Sequence, residues 1–89
     1  MTPENKSFLI KQVLRYLVER HPAAFTSASV ASMLAARQYV DFPVTNQDVD
    51  SALDYLVSAG MAERIQAELD VVDYFKASAK GFTHHGRGA

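Results

Sequence analysis

The residues best suited to chemistry lie between Thr45 and Gly60. In TNQDVDSALDYLVSAG, Val49, Ala52, Leu53, Leu56 and Val57 recur at the spacing of one helical face. Asn46, Gln47, Asp50, Ser51 and Asp54 are left facing outward. Asn and Gln amides can pair with adenine edges, and a serine hydroxyl can contact either type of base. Thr45 can cap the helix, and a helix N-terminus favours phosphate. The helix also carries Asp48, Asp50 and Asp54, and no Lys or Arg occurs from Gln38 to Glu63. Lys and Arg supply most non-specific affinity for nucleic acid by neutralising phosphate. Residue type and charge therefore point in opposite directions here.

Other chemistries find little support. No Gly-x-Ser-x-Gly occurs, no histidine lies in the central elements, and no glycine loop is built to cradle phosphate. Asp50 and Asp54 share a helical face, but a third metal ligand is missing. His84 and His85 are adjacent without nearby acids or cysteines, which seldom makes a metal site. The chain has no cysteine at all. We expect no enzyme activity, no metal and no cofactor. The N-terminus lacks the basic start and apolar core of a secretory signal. No apolar run approaches the roughly 18 residues of a membrane span. The expectation is a soluble, cytoplasmic protein with no membrane partner.

The 89 residues are enough for one small domain. Net charge is −1, but it is unevenly spread. Lys6, Lys11, Arg15 and Arg20 make the start positive. Lys76, Lys80 and Arg87 make the end positive, and Asp41, Asp48, Asp50, Asp54 and Glu63 make the middle acidic. After frayed residues 1–4, a first helix is predicted from Asn5 to Arg20. Its apolar stripe is Phe8, Ile10, Val13, Leu14, Leu17 and Val18, and His21-Pro22 ends it. Thr26, Ser27 or Ser29 can cap a short alanine-rich helix that buries Val30, Met33 and Leu34. Tyr39, Val40, Phe42 and Val44 are too apolar for a solvated loop and should tuck against the core. A third helix, Thr45–Ala59, stops at Gly60. Two strands follow, about 62–67 with Ile65 facing in, and about 71–77. A small extra strand is expected near Phe25. Glu68-Leu69-Asp70 forms the turn, with Leu69 either exposed or folded back on the sheet. GFTHHGRGA reads as a flexible tail.

Two stretches resemble winged helix-turn-helix bacterial regulators of the MarR and PadR kind. DVDSALDYLVSAGMAERI, Asp48 to Ile65, is similar to their recognition helix running through a glycine into the first wing strand. DYFKASAKG, Asp73 to Gly81, is similar to the end of their second wing strand, with Tyr74, Ser78 and Gly81 in comparable places. The resemblance implies an α+β fold, three helices followed by a two-stranded β-hairpin wing, over residues 1–81, with a tail at 82–89. It implies a small DNA-binding transcriptional regulator whose partner is double-stranded DNA, acting as a homodimer or beside a protein partner. In those families the N-terminal end of the third helix enters the major groove. That makes Asn46, Gln47 and Ser51 the candidate readers, with the cap Thr45 a further DNA-binding candidate. Ser27, Ser29, Arg37, Lys76 and Lys80 are candidate phosphate contacts. The alternative is a winged-helix protein–protein interaction module, whose acidic third helix meets a basic partner and does not bind DNA. Convergence of Arg15, Arg20, Arg37, Lys76 or Lys80 on the face that holds Asn46 would favour DNA.

Overall fold

Thr2 begins the first helix. The computed structural model describes residues 2–66 and 72–88, with side chains through residue 84. Helix α1 spans Pro3–Glu19. Proline sits in its first turn, where a missing N–H costs nothing. The Thr2 hydroxyl accepts from the Asn5 N–H at 3.1 Å. The start that reads as frayed is therefore a capped helix terminus.

The buried face of α1 is Leu9, Val13, Leu14, Tyr16 and Leu17. This face is rotated from the predicted stripe. Phe8 is 42% exposed and lies edge-on against Phe42, with ring centroids 6.2 Å apart. Ile10 and Val18 are only partly buried. Tyr16 takes the core position instead, because Phe25 packs on its ring at 5.1 Å and Arg20 lies over it at 4.2 Å.

Thr26 proves to be the cap of α2, Ser27–Ala36, accepting from the Ser29 N–H at 3.2 Å. Val30, Ala31 and Leu34 are buried, and Met33 is partly so. Tyr39, Val40, Phe42 and Val44 pack against the core as expected. The Tyr39 hydroxyl also donates to Glu19 at 2.6 Å, which holds that carboxyl below its usual pKa.

Helix α3 spans Asn46–Ser58 and buries Val49, Ala52, Leu53 and Leu56. Its start is a reciprocal capping box. Asp48 N–H donates to the Thr45 hydroxyl at 3.1 Å, and Thr45 N–H donates to the Asp48 carboxylate at 3.0 Å. Gly60 has φ 78°, and two bonds close the helix end: Gly60 N–H to Val57 at 3.0 Å and Met61 N–H to Leu56 at 2.8 Å. Only a left-handed residue closes the pair in this way. Thr45→Ala should lower stability by about 1 kcal/mol, read from the urea midpoint. Its partner Asp48 has a pKa lowered chiefly by the Thr45 N–H. A depressed carboxylate stabilises above its unfolded pKa, so this contribution is lost as pH falls through the depressed value.

Strands β1, Ala62–Gln66, and β2, Asp73–Ala77, pair antiparallel with Ala62 opposite Ala77 and Arg64 opposite Phe75. Alternation then places Ala62, Arg64, Phe75 and Ala77 on one face. Ala62, Phe75 and Ala77 are buried. Ile65 falls on the other face, opposite Tyr74, and is 39% exposed, so its expected inward position is corrected. Residue 72 precedes β2 rather than belonging to it, and residues 67–71, with the turn Glu68-Leu69-Asp70, lie outside the described residues. Phe25 joins β2 by an isolated bridge to Phe75, with N–H to O distances of 2.8 and 2.7 Å. The chain then continues as α4, Ala79–Gly88, where a tail from residue 82 was expected.

Candidate nucleic-acid interface

The capping box presents the first turns of α3 to solvent. Asn46, Gln47, Asp50, Ser51 and Asp54 are all exposed, as the periodicity requires. The three aspartates have different surroundings. Asp48 is held in the cap. Asp54 accepts from the Arg64 guanidinium in a close ion pair, and Arg64 Nε stands 3.5 Å from Asp73. Asp50 has no ion-pair partner among the described residues. The acidic helix is thus partly neutralised from within.

Two concavities flank this helix. On one side, Lys6 and Leu9 of α1 border a notch of about 250 Å³ with Asp48, Ser51 and Ala52. On the other, Thr26, Ser27, Asp50, Asp54, Arg64 and Asp73 line a groove of about 520 Å³ between the start of α2, α3 and the hairpin. Farther along, Ile10 and Leu14 share a third groove with Tyr55, Leu56 and Met61. Helices α1 and α3 therefore run in the same direction, with their N-termini at one end.

Most of the cations proposed as phosphate contacts lie elsewhere. Lys80 donates to the Ala59 carbonyl at 2.9 Å, at the end of α3 remote from Asn46. Thirteen residues separate the helix ends by about 20 Å. Lys76 pairs with Glu63 across the hairpin at 3.8 Å. Arg15 pairs with Glu19 at 3.6 Å and lies over Tyr39, and Arg20 lies over Tyr16. Arg37 is exposed at the far end of α2 from Ser27. Ser27 does line the groove beside Asp50, while Ser29 is exposed in the first turn of α2. Arg15, Arg20, Lys76 and Lys80 are thus engaged with other groups and Arg37 stands at the end of α2, so the arrangement that would favour DNA is not seen among these five.

Two other cations border α3, Lys6 at the notch and Arg64 at the groove, and neither stands out in the sequence as a site residue. Arg64 was legible in principle. Two residues beyond Ala62, strand alternation aims it at the same face and so at α3. Lys6 has a weaker signal, three residues before the buried Leu9 on the helix that packs against α3.

No protein-family model matches the chain, and no curated protein matches it in sequence. Solved structures do match in shape. One is a transcriptional regulator from Clostridium thermocellum, with TM-score 0.79 at 11% identity over 99% of this chain and 84% of that one. Another is a PadR-like transcription factor from Bacteroides fragilis, with TM-score 0.72 at 16% identity over 94% and 79%. The adhesin competence repressor of Streptococcus pyogenes gives TM-score 0.54 at 17% identity, over 99% of this chain and 57% of its own. The fold is a winged helix. In its terms α2 and α3 form the helix-turn-helix, β1 and β2 form the wing, and Phe25 supplies the small third strand. The wing is tied to α3 by Arg64, and α4 is docked behind the end of α3. None of the helices among the described residues is long and apolar enough to cross a membrane.

Proposed function

We propose that this protein is a DNA-binding transcriptional regulator that presents α3 to the major groove of a duplex. The observation that carries this reading is the exposed row Asn46, Gln47 and Ser51 on a capped helix, in a fold shared with regulators. Arg64 offsets the charge of Asp54, which removes part of the electrostatic objection, while Asp48 stays ionised in its cap. Asp50 remains, and costs on the order of 1 kcal/mol near a phosphate in water. Duplex DNA is the partner, with a second copy of the chain or another protein alongside.

The test is duplex binding across a salt series, on random and selected sequences. We expect binding at low salt whose affinity falls as salt rises. Absence of binding at low salt overturns the reading. It would then favour the acidic interaction module, a role supported by Lys76 and Lys80 being engaged within the fold.

A further inference from the structure

The three aspartates of α3 are not equivalent. Asp48 closes the capping box with Thr45. Asp54 is paired with Arg64, whose Nε is turned to Asp73. Asp50 is exposed and makes no hydrogen bond or ion pair among the described residues. It borders the groove that holds Arg64, but that guanidinium is already committed to two carboxylates. Asp50 stands one turn after Asn46 and directly before Ser51, inside the exposed row at the start of α3. Its charge weakens the approach of this row to any duplex. Among the groups that a major groove presents, only a donor on a base edge can offset that loss.

An ionised carboxylate only accepts hydrogen bonds. Guanine presents N7 and O6 in the major groove, and thymine presents O4 and a methyl group, so neither offers it a donor. Adenine sets its N6 amino group beside the N7 acceptor, which repels the second carboxylate oxygen. Cytosine presents the N4 amino group alone. We propose that Asp50 is a specificity-determining residue that accepts from the N4 amino group of one cytosine and disfavours guanine and thymine at that position. This rests on the duplex-DNA reading above. Asn46 and Asp50 lie about 6 Å apart along the helix axis, and successive base pairs are about 3.4 Å apart. The cytosine therefore falls within about two base pairs of the base that Asn46 reads. Asp50 exchanges affinity for selectivity: it lowers binding to every duplex, and lowers it least where the cytosine is present.

The test selects duplexes from a random library with the full wild-type chain. Binding of wild type, Asp50→Ala and Asp50→Asn is then measured on a selected duplex and on random duplexes. It is also measured on versions of the selected duplex in which each C·G pair is replaced in turn by the other three pairs. Thermal melts of the three proteins should coincide, because Asp50 has no partner within the described fold. For wild type we expect one cytosine whose replacement lowers affinity on the order of 5- to 150-fold. Asp50→Ala should bind the replaced duplexes as well as the original, and random duplexes about fivefold more tightly than wild type does. Asp50→Asn should prefer adenine at the same position, because Asn pairs bidentately with that base. Selected duplexes without such a cytosine, or an Asp50→Ala variant that keeps the preference, overturn the assignment and leave duplex binding intact. A uniform rise in affinity with unchanged preference also overturns it, since Asp50 is then a repelling group only. Should Asp50→Ala fold poorly, Asp50→Asn decides. Failure of the wild type to bind any duplex at low salt overturns both readings.

Discussion

Gly81→Ala should destabilise this protein by at least about 2 kcal/mol, an unusual cost for adding one methyl group. A Cβ at Gly81 would stand 1.9 Å from the Met61 carbonyl oxygen and 2.8 Å from its carbon. Both atoms are backbone, so no rotamer change relieves the clash. Helix α4 would have to move off the end of α3, and that junction is dense in bonds. Ser78 N–H donates to Met61 at 3.1 Å and its hydroxyl donates to Gly60 at 2.5 Å. Lys80 reaches the Ala59 carbonyl, and Gly81 N–H donates to the Ser78 hydroxyl at 3.1 Å. Three successive carbonyls at the end of α3 are thus satisfied by the start of α4. Urea unfolding followed by circular dichroism reads the effect as a lower midpoint, or as a separate early loss of α4 helicity. An unchanged midpoint and helix content would mean that α4 does not dock as described. Gly60 makes the useful contrast. There the nearest atoms to a Cβ belong to the flexible Lys80 side chain at 3.6 Å, and the requirement is the positive φ. Gly60→Ala should therefore be costly through backbone strain, about 1–2 kcal/mol, rather than through crowding.

This junction also explains where sequence reading stops. Three of the chain's four glycines fall between Gly81 and Gly88, and intrinsic propensity argues against a helix there. The helix forms because Ser78 caps it and Met61 leaves room only for a glycine. Those are contacts between distant segments: the resemblance marks Ser78 and Gly81, but the local pattern does not say what they touch. Helix α3 is the opposite case. Its cap, apolar face and glycine stop are all local, and each appears as predicted apart from a residue at either end. The hairpin falls between these cases. Its strands were legible, but Ile65 depended on register, and a one-residue difference in phase moves every side chain to the other face. In α1 the buried face is decided by Phe25 and Arg20 packing around Tyr16, which periodicity alone could not weigh. The same limit applies to the interface. Asn46, Gln47 and Ser51 were found because they share one helix. Lys6 and Arg64 come from two other elements, and only the packing brings them to either side of α3.

The double change Asn46→Ala and Gln47→Ala should lower sequence preference strongly while leaving the fold intact. Both side chains are exposed and make no hydrogen bond among the described residues, so stability should move little. The cap survives, because Thr45 and Asp48 form it without them. Each amide that pairs bidentately with an adenine discriminates by about 1–3 kcal/mol, so selected sites should lose on the order of 5- to 150-fold per contact. Random duplexes should bind as before, with the wild-type salt slope, because no phosphate contact has been touched. Competition between a selected and a random duplex, repeated at two salt concentrations, measures both quantities at once. If the double variant prefers the selected site as strongly as the wild type does, α3 is not the reader, and the exposed row at its start has another role. If it loses preference and slope together, the substitution has changed which cations meet phosphate, since neutral amides release no counterions, and the whole docking has shifted.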